Sequence, residues 1–207
     1  MEKEIIKKRA EHLKRKEDLL ALLNDIKADE LGDKGYPLTM KQINFYCNPT
    51  SVPNSKRYND FFIAKKSGGK RRISAPVIGL KAIQTYLILI FQASYEPSPW
   101  SMGFVHNRSV VDNAKTHVGQ NYVFNLDIKD FFPSCTAEAL KKALRETYPF
   151  YQLDNNIRNM IVNLATKDEV LPQGSPLSPL LANMIMIPFD IALTEYCKAN
   201  KLIYTRY

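Results

Sequence analysis

Two aspartates three residues apart, Asp127 and Asp130, follow the apolar run Tyr122-Val123-Phe124 and sit in the stretch NLDIKDFFPS at residues 125–134. A carboxylate at the end of a strand is held on a rigid element at the rim of a sheet. Carboxylate oxygen there suits a hard divalent cation. Phe131, Phe132 and Pro133 form a bulky wall directly beside it. Taken alone, the pair also has a plainer reading, in which Asp127 caps the following turn and Asp130 is a solvated loop acid.

Two further stretches weigh toward chemistry. Residues 55–81 hold eight Lys or Arg (Lys56, Arg57, Lys65, Lys66, Lys70, Arg71, Arg72, Lys81) against one acid, Asp60. That local excess of +7 is nearly the whole formal charge of +8. Charge spread for solubility would not cluster this way, whereas a phosphate-binding patch would. Later comes Leu171-Pro172-Gln173-Gly174-Ser175-Pro176, a tight loop ahead of an apolar helical pattern. A helix N-terminus there offers amide donors to an anion.

The elements that must position these groups follow from periodicity and punctuation. Residues 3–28 alternate charges with Ile5, Ile6, Leu13, Leu19, Leu20, Leu23 and Ile26, which predicts one amphipathic, mostly exposed helix. Leu31–Gly35 breaks it, and Thr39 caps a short helix through about Cys47. Residues 58–76 read as a hairpin turning at Ser67-Gly68-Gly69. Helices are expected over 79–94, from a Ser109 cap to Val118, over 136–148, over 155–166, and from the 171–179 loop to about Asn200. Strands are expected over 121–127 and 202–207.

At 207 residues, with 45% hydrophobic and 24% charged residues, the chain can bury a real core, and wholesale disorder is excluded. Cys47, Cys135 and Cys197 are few, odd in number and far apart, so they form neither a disulfide framework nor a CxxC pair. A reducing cytoplasm is the expected compartment. The charged N-terminus is unlike a signal peptide, and the apolar run Tyr86–Phe91 is far short of a membrane span. His12, His106 and His117 are scattered, which argues against a zinc site.

The order of these stretches resembles the reverse transcriptases, and among them the bacterial retron type. NLDIKDFFPS is similar to their first palm motif, and LPQGSPLSPLLAN to their second conserved block. KKSGGKRRI resembles the fingers hairpin, NAKTH at 113–117 the NAxxH signature, and YTRY at 204–207 the start of the block whose tyrosine precedes Ala-Asp-Asp. The resemblance covers roughly residues 55–207. It implies an α+β right-hand polymerase: an N-terminal helical extension (1–34), fingers (35–95, with the basic hairpin 58–76), a first part of the palm (96–135), more fingers (136–171), and a truncated second part of the palm (172–207). An antiparallel palm sheet with packed helices belongs to this expectation. The chain stops at Tyr207, where the family's two further catalytic aspartates would begin, and no thumb follows. Truncation of a longer enzyme is the expectation.

The resemblance also implies roles. Asp127 would be catalytic and would ligate two Mg²⁺ ions, joined by the backbone carbonyl of Ile128. The nucleotide would be met by Lys65 or Lys66, by Arg71 or Arg72, by the backbone amides of Asp130 and Phe131, by Phe132 as a gate under the sugar, and by Gln173. Gly174 and Ser175 would lie along the template, and Asn113 and His117 would be structural or touch template RNA. The other readings are a core phenylalanine for Phe132, a loop capper for Gln173 and a solvated charge run for the hairpin. The implied activity is RNA-directed DNA synthesis from dNTPs on an RNA template and primer, with a cognate non-coding RNA as a further partner, a role in antiviral defence and no membrane. The rivals are a group II intron or other bacterial defence enzyme, and a non-catalytic RNA-binding scaffold with a degenerate palm.

Overall fold

Most apolar positions of the first 31 residues face inward, on two helices rather than one. α1 spans Lys3–Glu11 and α2 spans Lys16–Leu31. Between them the Asp18 carboxylate accepts the backbone N–H groups of Lys14 (3.1 Å) and Arg15 (2.8 Å), so a local cap outcompetes helix continuation. Ile6, Ala10, Leu13, Leu19, Leu22, Leu23 and Ile26 are buried and no charged residue of 3–28 is, an amphipathic pattern as expected but carried on two helices. The fold was established from a computed structural model, which describes residues 1–32, 36–65 and 68–207. Part of the predicted 31–35 break, and Lys66 and Ser67 of the predicted hairpin turn, lie outside the described residues.

α1 and α2 pack on α4 (Ile78–Ser94), the 17-residue apolar helix at the centre of the core. Leu80, Ile83, Leu87, Ile90 and Phe91 are at most 2% exposed. Each such burial is worth roughly 1.5–3 kcal/mol relative to exposure. α3 (Met40–Tyr46) starts at Thr39, whose hydroxyl accepts from the Gln42 amide as predicted. α7 (Ala137–Glu146) and α8 (Asn155–Ala165) complete this layer, with α8 packed against α4. The rings of Phe91 and Phe150 meet at 4.5 Å.

The hairpin forms as expected: β1 is Tyr58–Ala64 and β2 is Lys70–Pro76, antiparallel, pairing Asp60 with Ser74 and Phe62 with Arg72. Gly68 and Gly69 take φ of +88° and +80°, which glycine alone adopts without strain. These two strands make the one sheet among the described residues. The predicted strand 121–127 has no ladder partner, and Tyr122, Phe124 and Leu126 are 93%, 84% and 81% exposed. Residues 202–207 make a single parallel bridge, Arg206 with Ser101. A short apolar run reports a chain suited to a sheet; the sheet itself needs neighbouring backbone, which the described residues do not supply here. The expected antiparallel palm sheet is therefore not formed among them.

The predicted helix to Asn200 is broken into α9 (Ser178–Ile185) and α10 (Ile187–Ala199), bent by 49°. Pro188 lacks an N–H and crowds the preceding turn, which ends α9 there. No single helix among the described residues is long and apolar enough to cross a membrane. Asp190 on α10 is fully buried and accepts from Arg206 (2.8 and 3.0 Å) and Tyr204 (2.8 Å), while Arg206 also donates to Asn183 (2.6 Å). This network holds the 202–207 segment against α9 and α10.

One charged cluster docks the hairpin. The Lys167 ammonium, 5% exposed, donates to both oxygens of Asp60 at 2.5 and 2.6 Å and to the Ser74 hydroxyl at 3.1 Å. Arg72 adds a bond to Asp60 at 2.6 Å. Burial pushes the Asp60 carboxyl up, but the hydrogen bonds from Lys167, Ser74 and Arg72 outweigh it and hold the group far below the usual carboxylate range. A depressed carboxyl contributes stability that is fully present above its unfolded value, near pH 4, and lost as pH falls through the folded value. Asp60→Asn should therefore lower the urea midpoint at pH 7, and the gap from the parent should close as pH falls below about 4. Midpoints that stay equally separated down to pH 2 would show that the Asp60 charge is not what the fold uses.

Candidate functional site

The hairpin cations fall into three groups. Arg57, at its base, is fully buried and donates to the carbonyls of Asn163 and Thr166, so it caps the C-terminal end of α8 and leaves the surface patch counted from sequence. Arg72 is tied to Asp60, with its side chain still 55% exposed. Lys65 and Arg71 are exposed and have no ion pair among the described residues. The register sets Arg72 beside Phe62 on the face of Asp60 and Ser74, and Arg71 beside Ile63 on the other face. Phe61, Phe62 and Ile63 are 48%, 64% and 43% exposed, so aromatic and cationic groups interleave at the surface.

The Pro172–Ser175 loop lies against the outer edge of β2. The Ser74 amide donates to the Gln173 carbonyl at 2.7 Å. Gly174 has φ +110°, and a Cβ there would lie 2.7 Å from Ile73 Cγ2 and 3.1 Å from the Ser74 carbonyl oxygen. Glycine is required by both the dihedral and the close approach. Gln173 therefore joins the hairpin through its backbone, leaving its half-buried side chain without a hydrogen bond among the described residues. Ser175 is 4% exposed and donates to Gln84 Oε1 at 2.9 Å. Its hydroxyl is engaged in the core, which removes it as a surface contact to template. Gln84 continues the link, donating to the Leu164 carbonyl at 2.8 Å.

The chain just after the Asp127 stretch reaches the start of this loop. The Leu171 amide donates to the Cys135 carbonyl at 2.9 Å, and the Ala137 amide to the Glu169 carbonyl at 2.8 Å, so the end of NLDIKDFFPS runs beside the start of the Gln-Gly loop. Asp127 and Ile128 are exposed. The Asp127 carboxylate makes no side-chain hydrogen bond among the described residues, so the turn-cap reading is not what it does. Asp130 takes φ +52°, ψ +43°, and its carbonyl accepts from the amide and hydroxyl of Ser134, closing the short α6 (Phe131–Ser134). The rings of Phe131 and Phe132 sit 5.5 Å apart, both half-buried against the core. Burial alone thus does not separate gate from core. Among the described residues no group of three or more His, Cys, Asp or Glu is placed to hold a metal.

α5 (Val110–Lys115) starts at the predicted Ser109 cap but ends three residues short of Val118. His117 lies just past it, its Nε2 2.6 Å from the Thr205 hydroxyl, which ties this segment to residues 202–207. Asn113 Oδ1 is buried without a partner among the described residues. Sequence reasoning missed Asp60, Lys167 and Gln84 as the groups that join hairpin, loop and core. Asp60 carried a signal, being the single acid in the basic run; Lys167 and Gln84 carried none.

Similarity to known proteins agrees with this arrangement. Residues 63–207 match the family model described as reverse transcriptase (RNA-dependent DNA polymerase). The chain is 36% identical over 155 residues to the Retron Ec86 reverse transcriptase of Escherichia coli, covering 73% of this chain and 47% of that enzyme. It is 32% identical over 156 residues to the Retron Ec83 reverse transcriptase of the same organism, covering 72% and 50%. With the Retron Mx162 reverse transcriptase of Myxococcus xanthus it shares 29% identity over 199 residues, covering 89% and 41%. The chain thus spans about half the length of the curated relatives it matches. With its hairpin, Asp127 stretch and Gln-Gly loop linked and residues 63–207 inside the family model, the chain belongs to the reverse transcriptase family, and its curated relatives there are retron enzymes.

Proposed function

We propose that this chain supplies the fingers and part of the palm of a retron-type RNA-directed DNA polymerase, which adds dNTPs to a primer 3′-hydroxyl on an RNA template. The observation that carries the reading is how three motifs are linked: β2 meets the Gln173 loop, and Leu171 at the start of that loop bonds Cys135, the residue that follows the Asp127 stretch. A basic hairpin joined through the Gln173 loop to the chain just after a carboxylate-bearing segment is suited to hold a triphosphate near a metal-binding oxygen. Lys65 and Arg71, without carboxylate partners among the described residues, are the cations assigned to phosphate; Arg72 would serve phosphate while also holding Asp60. The backbone amides of Asp130 and Phe131 are assigned to the nucleotide, as is Lys66, which lies outside the described residues. Residues 35–95 and 136–171 are assigned to the fingers, and 96–135 and 172–207 to the palm.

Asp127 and the Ile128 carbonyl are oxygen donors of the kind Mg²⁺ takes, which supports a role as one part of a metal site. One carboxylate is not a two-ion site, and no group of three or more His, Cys, Asp or Glu placed to hold a metal forms among the described residues. The 207-residue chain alone is expected to give no dNTP incorporation on a primed RNA with Mg²⁺, because two ions need several anionic ligands. Incorporation that is abolished by Asp127→Asn would show that these residues already hold the ions.

The hairpin assignment is tested by salt. Lys65→Ala with Arg71→Ala is expected to weaken binding of single-stranded RNA and to reduce the slope of log K against log salt by about 0.7 for each phosphate that is no longer neutralised. An unchanged slope would make the patch an ordinary solvated surface.

The gate is tested in the full-length enzyme. A gate acts by clash, filling the space of a ribose 2′-hydroxyl. Phe132→Ala should raise ribonucleotide use while sparing much of the deoxynucleotide rate, with about 1–3 kcal/mol of discrimination removed. Phe131→Ala is the comparison: if it relaxes sugar choice while Phe132→Ala only destabilises the fold, gate and core are exchanged.

A further inference from the structure

Away from the hairpin, two adjoining clefts run between the α1–α2 turn, α3 and α8. One, of about 300 Å³, is lined by Lys16, Asn44, Cys47, Asn156, Asn159 and Asn163 among others. The other, of about 440 Å³, is lined by Lys14, Arg15, Lys16, Glu17, Asp154 and Asn156. Lys16 and Asn156 belong to both, so the clefts form one groove. Asn156, Asn159 and Asn163 fall at i, i+3 and i+7 on α8, a single stripe of amides along one helix face.

The chemistry of the groove suits binding rather than catalysis. It has no histidine, and burial pushes its Cys47 thiol up to about 12, so the sulfur is a neutral group facing the Met160 carbonyl at 3.6 Å. Asn163 is engaged with the Cys47 carbonyl at 2.8 Å and Asn48, also on the wall, with the Ser51 amide at 3.1 Å. The side-chain amides of Asn44, Asn156 and Asn159 have no partner among the described residues and are exposed. Each offers two donors and an acceptor, the set that matches a base edge or a 2′-hydroxyl. Lys14, Arg15 and Lys16 stand at one end. Of the acids near them, Asp154 accepts from the Asn156 backbone, Asp18 is held by the turn and by Arg15, and Glu17 is exposed. At its other end α8 meets the hairpin base, where Arg57 caps it. The helix is about 16 Å long, so a strand leaving the hairpin along α8 reaches Lys14–Lys16 within that distance.

We propose that this groove binds a single-stranded RNA segment, with Asn156 and Asn159 on bases or 2′-hydroxyls and Lys14 and Lys16 on phosphates. The proposal rests on the reading of the chain as an RNA-directed enzyme and adds a second RNA-binding surface to it. The test is anisotropy with a labelled single-stranded RNA and the DNA of the same sequence, using the intact chain. Asn156→Ala with Asn159→Ala is expected to raise the Kd for RNA roughly fivefold, as two modest hydrogen bonds allow, with less effect on DNA. Lys14→Ala with Lys16→Ala should flatten the salt slope, and photocrosslinks from 4-thiouridine RNA should map to α2 and α8. Circular dichroism of each variant separates weakened binding from an unfolded chain, and Asn→Ser variants replace any Ala variant that unfolds. An unchanged RNA Kd and no crosslinks in α2 or α8, while the Lys65/Arg71 variant still weakens binding, would overturn the groove and leave the polymerase reading standing. Failure of both variant sets to change RNA binding would remove both. Binding of a polyglutamate peptide in the groove without release of bound RNA would also overturn the proposal, since the groove would then serve an acidic protein.

Discussion

A buried ammonium group must have partners, because an unpaired charge away from water costs several kcal/mol. Lys167 meets that constraint with the two oxygens of Asp60 and the hydroxyl of Ser74, one residue from each strand of the hairpin. The constraint fixes where the hairpin can sit. With Asp60 anchored, β2 is held with its outer edge toward the Gln173 loop, and the Ser74 amide finds the Gln173 carbonyl. Arg57 then lies inside the fold at the end of α8, and Tyr58 is buried beneath Lys167, whose ammonium is 5.8 Å from the ring centre.

The arrangement divides the basic run by burial. Arg57 at the hairpin base is enclosed, whereas Lys65 and Arg71 toward its tip stay exposed. This is why a charge count overstates the patch: Arg57 is as basic as Arg71 in sequence, yet it is buried on helix carbonyls. A similar division applies to the Gln-Gly loop. Its glycine and serine face the protein, Gly174 because the hairpin leaves no space for a Cβ and Ser175 because its hydroxyl meets Gln84.

Local rules made much of the fold legible from sequence. The Thr39, Ser109 and Thr136 caps act through hydroxyls that accept from the amide three residues on. The Gly-Gly hairpin and the central apolar helix also depend on nearby residues and were readable. The family could be read because its motifs are contiguous. What stayed hidden depends on residues far apart. Lys167 reaches Asp60 across 107 positions and His117 reaches Thr205 across 88, and no local pattern encodes such pairs. The 121–127 stretch failed in the opposite way. Its apolar run is strand-like, but a strand is a pairing and the sequence of one partner does not provide the other. The break in the N-terminal helix turned on Asp18 reaching back to the Lys14 and Arg15 amides, a choice between two permitted local structures.

That unpaired stretch has a consequence for the protein as a material. Tyr122 to Leu126 is apolar but for Asn125, free of proline, uncharged and exposed. These are the features of an open sheet edge that templates addition of another strand. In concentrated solution such an edge favours association between copies of the chain, and aromatic residues on alternate positions deepen the contact once it forms. A strand laid over these few residues would cover that apolar surface, and dilution would slow association through it.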